Sequence, residues 1–234
     1  MSELLIDQGN TRVKLGWLSE RLDYLGTTDV SEIKTIVPAR PQRIWLSSVA
    51  RGEHRDRLRA ALQALGGEVV EVSVTRFSEY LPTRYAKEQL GVDRWLAALA
   101  GYERANAACV VVDAGTATTI DAVDAAGTHL GGYILPGEAL TRASLRQNTA
   151  IQPQDDPEEC TDRIPVGTGE AMRCASLAAQ AALIDRVRNR MGQHCRVFLG
   201  GGNRESLVPF LQAGHEMIPQ LVLEGLACLA RREK

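Results

Sequence analysis

Residues 7–14 read DQGNTRVK, and residues 111–121 read VVDAGTATTID. In both stretches an apolar run ends in an aspartate, a glycine stands two positions on, and a threonine follows closely. Asp7 and Asp113 are 113 − 7 = 106 positions apart in a chain of 234 residues. Each stretch predicts a strand, a turn and a second strand. Similarity spaced at nearly half the chain points to a duplicated fold, not to a short-period repeat array.

The flanking sequence extends the pattern. In the first half, strands are expected at Glu3–Asp7, Arg12–Leu18, Arg21–Thr27, Arg43–Ser48 and Glu68–Val74. Helices are expected at Val30–Val37, Gly52–Leu65 and Gly91–Tyr102, and 77–89 reads as a polar loop. In the second half, Ala108–Asp113, Thr116–Val123, His129–Ile134 and Arg196–Leu199 read as strands. Pro136–Arg146, Thr168–Met191, Arg204–Ala213 and Gln220–Arg231 read as helices, with an acid-rich connection at 152–164. The expected division is 1–105 and 106–234, with the boundary near 103–107. No Pro/Gly/Ser-rich linker marks it, so two closely packed halves are expected.

Composition narrows the function. Lys plus Arg number 27 and Asp plus Glu 29, a formal net charge of −2, which argues against a nucleic-acid binder relying on positive charge. No basic, apolar leader opens the chain, and no apolar run has the length of a membrane span. The five cysteines form no close pair, so they read as reduced core thiols of a cytoplasmic protein. The four histidines are scattered and carry no assigned chemistry.

The hairpins suggest phosphate chemistry. After Asp7 and Gln8, Gly9 permits a tight turn that lets backbone N–H groups approach an anion, while Asn10 and Thr11 offer side-chain donors. Beyond Arg12 and Val13, Lys14 can add positive charge. The Asp7 carboxylate can hold Mg²⁺ directly or through water. The plainer alternative is a hairpin whose Asp and Asn only satisfy turn geometry. A matched pair of hairpins, however, can grip an oligophosphate from both sides of a cleft. A third element, Leu199–Asn203 (LGGGN), follows a strand and precedes a helix. Its bare backbone at Gly201 and Gly202 suits a flat base or ribose, and a flexible βα loop is the alternative. It is not a Walker A loop, and no GxGxxG follows the first strand.

These pieces together resemble the acetate kinase/sugar kinase/Hsp70/actin superfamily and, within it, the type III pantothenate kinases, or Bvg accessory factor family. The resemblance rests on DQGNTRVK, LGVDRW at 90–95, VVDAGTATTID, GGYILPG at 131–137, GTGEA at 167–171 and LGGGN, in that order along nearly the whole chain. It implies an α/β, duplicated ribonuclease H-like (actin-like ATPase) fold, with mixed sheets flanked by helices and a cleft between the halves. It also implies ATP-dependent phosphorylation of pantothenate, the first step of coenzyme A biosynthesis.

The resemblance assigns roles residue by residue. Asp93 would be the general base, and Gly91, Val92, Asp93 and Arg94 would contact pantothenate. Read from spacing alone, Asp93 is an ordinary acid at a helix start. Tyr85 would be a further substrate contact, in a segment one residue shorter than the family's and lacking its proline. Asp113 would bind a monovalent cation, K⁺ or NH₄⁺. Thr116 would contact ATP phosphate. Thr168 would reach pantothenate across a homodimer interface, or simply cap its helix. A non-catalytic accessory protein and a kinase of another hydroxylated metabolite are the rival readings.

Overall fold

The computed structural model describes residues 2–9, 12–154, 159–212 and 214–233. The chain divides into two compact units, one formed by 1–103 with 220–234 and the other by 104–219.

The first unit opens with β1 (Glu3–Gln8), β2 (Val13–Leu18) and β3 (Leu22–Thr28). A 3-10 turn at Val30–Glu32 leads into the short α1 (Ile33–Ile36), then β4 (Arg43–Ser48), α2 (Glu53–Leu65), β5 (Glu68–Glu71), α3 (Val74–Phe77) and α4 (Val92–Ala105). The sheet order is β3-β2-β1-β4-β5, with β1 antiparallel to β2 and parallel to β4. As the central strand, β1 is buried at all six positions. Leu4 and Ile6 join Val13, Leu15, Ile44, Leu46, Leu58 and Leu62 in one core. This explains its unbroken apolar run: a strand covered on both faces has no solvent side on which to alternate.

The second unit holds β6 (Cys109–Ala114), β7 (Ala117–Val123), β8 (His129–Pro136), α5 (Glu138–Asn148), α6 (Thr168–Met191), β9 (Arg196–Gly200), α7 (Arg204–Leu207) and β10 (His215–Met217). Its sheet order is β10-β9-β6-β7-β8, and β6 is antiparallel to β7 and parallel to β9. Numbered within each unit, both sheets run third, second, first, fourth, fifth, so the duplication expected from the two Asp-x-Gly turns is present in the topology.

The chain then returns to the first unit as α8 (Leu221–Arg232), which packs against β1, β2 and β4. A Cβ at Gly225 would stand 2.2 Å from the Leu96 carbonyl oxygen, so α8 seats against α4 only because residue 225 has no side chain. The compact units therefore differ from a single cut at 105/106. The units divide between Glu103 and Arg104, and residues 220–234 group with the first unit.

Some elements differ from the sequence expectation. The strand from Glu68 stops at Glu71, because Ser73 caps α3 by accepting the Arg76 N–H at 3.3 Å. The helix expected over 204–213 breaks into α7 and a 3-10 turn, Val208–Phe210, where Pro209 lacks an N–H to continue it. The short β10 that follows was not expected; it gains its identity from pairing with β9.

The cysteines also differ. Cys160 and Cys174 form a disulfide with Cα atoms 5.6 Å apart, because the segment entering α6 folds back along that helix. The other three remain thiols, so the step from five thiols to a reducing compartment does not carry over. Burial pushes the Cys109 thiol up to about 12 and the Cys228 thiol up to about 11, leaving both protonated and poorly nucleophilic at neutral pH. Titration of the unfolded chain with a thiol reagent is expected to find three thiols without reductant and five after reduction. Five without reductant would contradict the pairing.

Candidate active site

The first unit carries two groups of candidate residues. In the β1–β2 hairpin, Asp7 lies opposite Lys14, and Gln8 opposite Val13. The Asp7 carboxylate is largely covered, with Lys14 Nζ 4.0 Å from one oxygen and the Ser47 hydroxyl 3.4 Å from the other. Gln8 is fixed at both ends of its amide: Ser48 donates to Oε1 at 2.7 Å, and Nε2 donates to the His54 carbonyl at 2.9 Å. The turn closes with Gly9 N–H donating to the Arg12 carbonyl at 3.1 Å. A Cβ at Gly9 would stand at an ordinary 3.5 Å from that oxygen. Asn10 and Thr11 lie outside the described residues.

The second group is the start of α4. Asp93 Oδ1 accepts the backbone N–H of Arg94 at 2.8 Å. A Cβ at Gly91 would stand 2.5 Å from that same oxygen, so glycine at 91 makes room for the carboxylate. The Arg94 side chain is buried, and its guanidinium lies 5.4 Å from the centre of the Tyr85 ring. Tyr85 is held in turn by its N–H donating to Thr83 Oγ1 at 3.0 Å. The structure thus brings Gly91, Asp93, Arg94 and Tyr85 together, despite the shortened segment before the motif. Trp95 anchors the group from beneath, its indole N–H donating to the Leu81 carbonyl at 2.9 Å.

In the second unit, Asp113 pairs in register with Thr119 on one side and Gly200 on the other. Gly201 has φ of 84°, and a Cβ there would come 2.4 Å from the Ala114 carbonyl oxygen and 2.5 Å from Asp113 Oδ1. The glycine-rich turn therefore rests directly on the aspartate at the end of β6. Asn203 ties the two together, its N–H donating to the Ala114 carbonyl at 2.9 Å. Gly202 faces open space. The β6–β7 turn is closed by Gly115 N–H donating to the Ala117 carbonyl at 3.1 Å, and Thr116 is exposed at its tip. Gly137 lies against this turn: its N–H donates to the Thr116 carbonyl at 2.9 Å, and a Cβ would stand 2.5 Å from the Gly115 oxygen.

Thr168 is the exposed first residue of α6, and Gly167 occupies the N-cap position without a side-chain cap. The capping alternative for Thr168 is thus not what the structure shows. His129 is buried and its Nε2 lies 2.9 Å from Asp121 Oδ1, a structural pair within the β7–β8 ladder.

Among the described residues, no three His, Cys, Asp or Glu side chains cluster as a metal cage. Mg²⁺ is commonly held by one or two carboxylates, waters and nucleotide phosphates; Asp7 brings one carboxylate, which Lys14 and Ser47 already approach. Asp113 Oδ1 and the Ala114 carbonyl oxygen both lie against Gly201. No helix among the described residues is long and apolar enough to cross a membrane.

Residues 3–190 match the family described as type III pantothenate kinase. A type III pantothenate kinase of Dechloromonas aromatica is 36% identical, covering 96% of this chain and 97% of the relative. One from Aromatoleum aromaticum is 35% identical over 98% of both. A solved structure described as a Baf family transcriptional activator from Campylobacter jejuni superposes with a TM-score of 0.65 at 21% identity, covering 98% of each chain. The activator of 2-hydroxyisocaproyl-CoA dehydratase from Clostridium difficile, solved with ADPNP, gives 0.55 at 12% identity over 100% of this chain and 95% of that one. At these identities the structural likenesses speak for the fold, the duplicated actin-like ATPase architecture.

Proposed function

This chain belongs to the type III pantothenate kinase family, and on that premise we propose that it phosphorylates the primary hydroxyl of pantothenate with ATP, with Asp93 as the general base. The observation that carries the assignment of the base is the start of α4. A glycine leaves room for the Asp93 carboxylate, its Oδ1 is oriented by the Arg94 N–H, and a buried arginine stands beside it. Phosphoryl transfer needs little covalent help from the protein; positioning, charge neutralisation and removal of one proton suffice. Asp93 takes the hydroxyl proton as that oxygen attacks the γ-phosphorus in line. Arg94 holds the anionic end of pantothenate, and Tyr85 keeps the guanidinium in place.

Each hairpin addresses the nucleotide's phosphates. In the first, the backbone after Asp7 donates N–H groups, Asn10 and Thr11 add side-chain donors, and Lys14 adds charge. In the second, the exposed Thr116 hydroxyl donates to phosphate. Gly201 and Gly202 leave backbone bare for the nucleoside. Asp7 would hold Mg²⁺, which supplies neutralisation of phosphate charge when bound. Asp113 would hold K⁺ or NH₄⁺.

The chain works as a homodimer in this reading, with Thr168 reaching the partner's pantothenate. Exposed apolar surface in the second unit supports it. Ile134 on the edge strand β8 is 61% exposed, Ile164 and Val166 before α6 are 88% and 95% exposed, and α5 buries no residue. On α6, Leu177 and Ile184 enter the unit's own core, while Ala171, Ala175, Ala178 and Ala182 face outward. Small residues allow two such helices to pack closely across a two-fold axis.

A panel of small alcohols with ATP, read by coupled ADP release, tests the substrate. Pantothenate-dependent release is expected, and a preference for another alcohol would overturn the reading. Replacing K⁺ and NH₄⁺ by Na⁺ or Tris is expected to depress turnover strongly, and Asp113→Ala to abolish the response to added K⁺. Equal turnover without K⁺ would remove the cation site.

A further inference from the structure

We propose that Gln180 of α6 is a positioning residue for the phosphate turn at Thr116. The inference rests on the reading that this turn contacts ATP. Gln180 is buried, 3% exposed, on a helix whose outer face is alanine. A buried amide must be hydrogen-bonded or it costs stability. Its Oε1 accepts from the Thr118 hydroxyl at 2.6 Å, two residues past Thr116. Its Nε2 donates to Ser176 Oγ at 2.9 Å. Ser176 then donates to Thr141 Oγ1 at 3.3 Å, and Thr141 donates to the Gly137 carbonyl at 3.0 Å. Gly137 closes the circuit by donating its N–H to the Thr116 carbonyl.

The chain of donors runs one way. Each hydroxyl has one proton for the next acceptor, Thr141 also lying 3.4 Å from the Pro136 carbonyl but closer to that of Gly137, so the neighbours orient the members of the circuit. Two walls of the Thr116 turn are thereby held. Thr118 is held from α6 through Gln180, and the Thr116 carbonyl is held from the start of α5 through Gly137. A turn that must present a hydroxyl to a phosphate gains from such fixing, because a loose donor lowers affinity for the phosphate without altering the fold. Of these residues that reading assigns only Thr116 to the nucleotide, and none lies at the start of α4. Their loss should therefore register on ATP and spare pantothenate.

The test compares Gln180→Leu, Thr118→Val and Thr118→Ser in the full-length protein, with circular dichroism and thermal midpoint as checks of folding. Thr118→Val keeps the shape and removes only the hydroxyl, so it remains informative if Gln180→Leu fails to fold. Both Gln180→Leu and Thr118→Val are expected to raise KM for ATP about five- to tenfold, with KM for pantothenate within about twofold of the parent. Thr118→Ser, which retains the hydroxyl, should keep the parental KM for ATP. The Gln180→Leu, Thr118→Val double variant should be no worse than the worse single, since both break one circuit. An unchanged KM for ATP in folded Thr118→Val, or an equal rise in both KM values, overturns the proposal. Thr116→Val separates the two levels of the argument. If it leaves KM for ATP unchanged, the phosphate role of the turn fails and this inference with it. If it raises KM for ATP while Thr118→Val does not, this inference alone fails.

Discussion

Asp93→Asn is expected to lower kcat roughly 10²–10⁴-fold, the usual cost of losing a general base. The substitution is nearly isosteric. An asparagine Oδ1 can still accept the Arg94 N–H that Asp93 accepts at 2.8 Å, and Gly91 still leaves the space the group occupies. The fold and the affinity for ATP should therefore be retained. What is lost is the second carboxylate oxygen, replaced by an NH₂ that cannot take a proton. Steady-state kinetics, thermal midpoint and nucleotide affinity on the purified variant check this together. Near-parental kcat in a folded, ATP-binding variant would remove Asp93 as the base. Loss of ATP binding would show that the residue acts through structure instead.

Thr168→Arg is expected to abolish activity, because it places a long cation where the partner's pantothenate would lie. The stronger result comes from mixing. If each site takes Asp93 from one subunit and Thr168 from the other, Asp93→Asn and Thr168→Arg subunits, each inactive alone, should regain activity after exchange. A mixed dimer then holds one site with both lesions and one with neither. Random exchange makes about half of the dimers mixed, so about a quarter of all sites should be intact. Verified exchange with no recovered activity would rule out the shared site.

The fold was legible wherever burial imposes its own pattern. β1 and β6 are central strands covered on both faces, so their uninterrupted apolar runs marked them, and the aspartate ending each marked the turn. α6 was legible over its full length, Thr168–Met191, because it is an unbroken, alanine-rich run of good helix formers without a proline. The parts that were not legible depend on contacts distant in sequence. β10 has three residues, too few for a period, and exists through its pairing with β9. The Cys160–Cys174 bond joins residues 14 apart with no motif to flag them. The return of α8 to the first sheet is invisible to a reading that moves along the chain; the clue was Gly225 within an otherwise leucine- and alanine-rich helix.

For the site, the two turns that carry Asp7, Asp113 and Thr116 could be read from the sequence, whereas the roles expected of Asp93, Asp113 and Thr116 came from the family resemblance, and the place of Gly91 became physical only when the Asp93 oxygen was seen to fill the position of its missing Cβ. Gln180 gave no signal. A glutamine among alanines reads as a solvated position, and only the packing of α6 on the β6–β7 hairpin turns it inward.

Incubation of the wild-type protein with ATP, Mg²⁺, K⁺ and pantothenate, followed by phosphorus NMR of the products, tests the central claim most directly. A new phosphomonoester on the primary hydroxyl of pantothenate is expected, formed in equal amount with ADP and absent when pantothenate is omitted. ADP release that does not depend on pantothenate, or no transfer at all by folded protein that binds ATP, would contradict it.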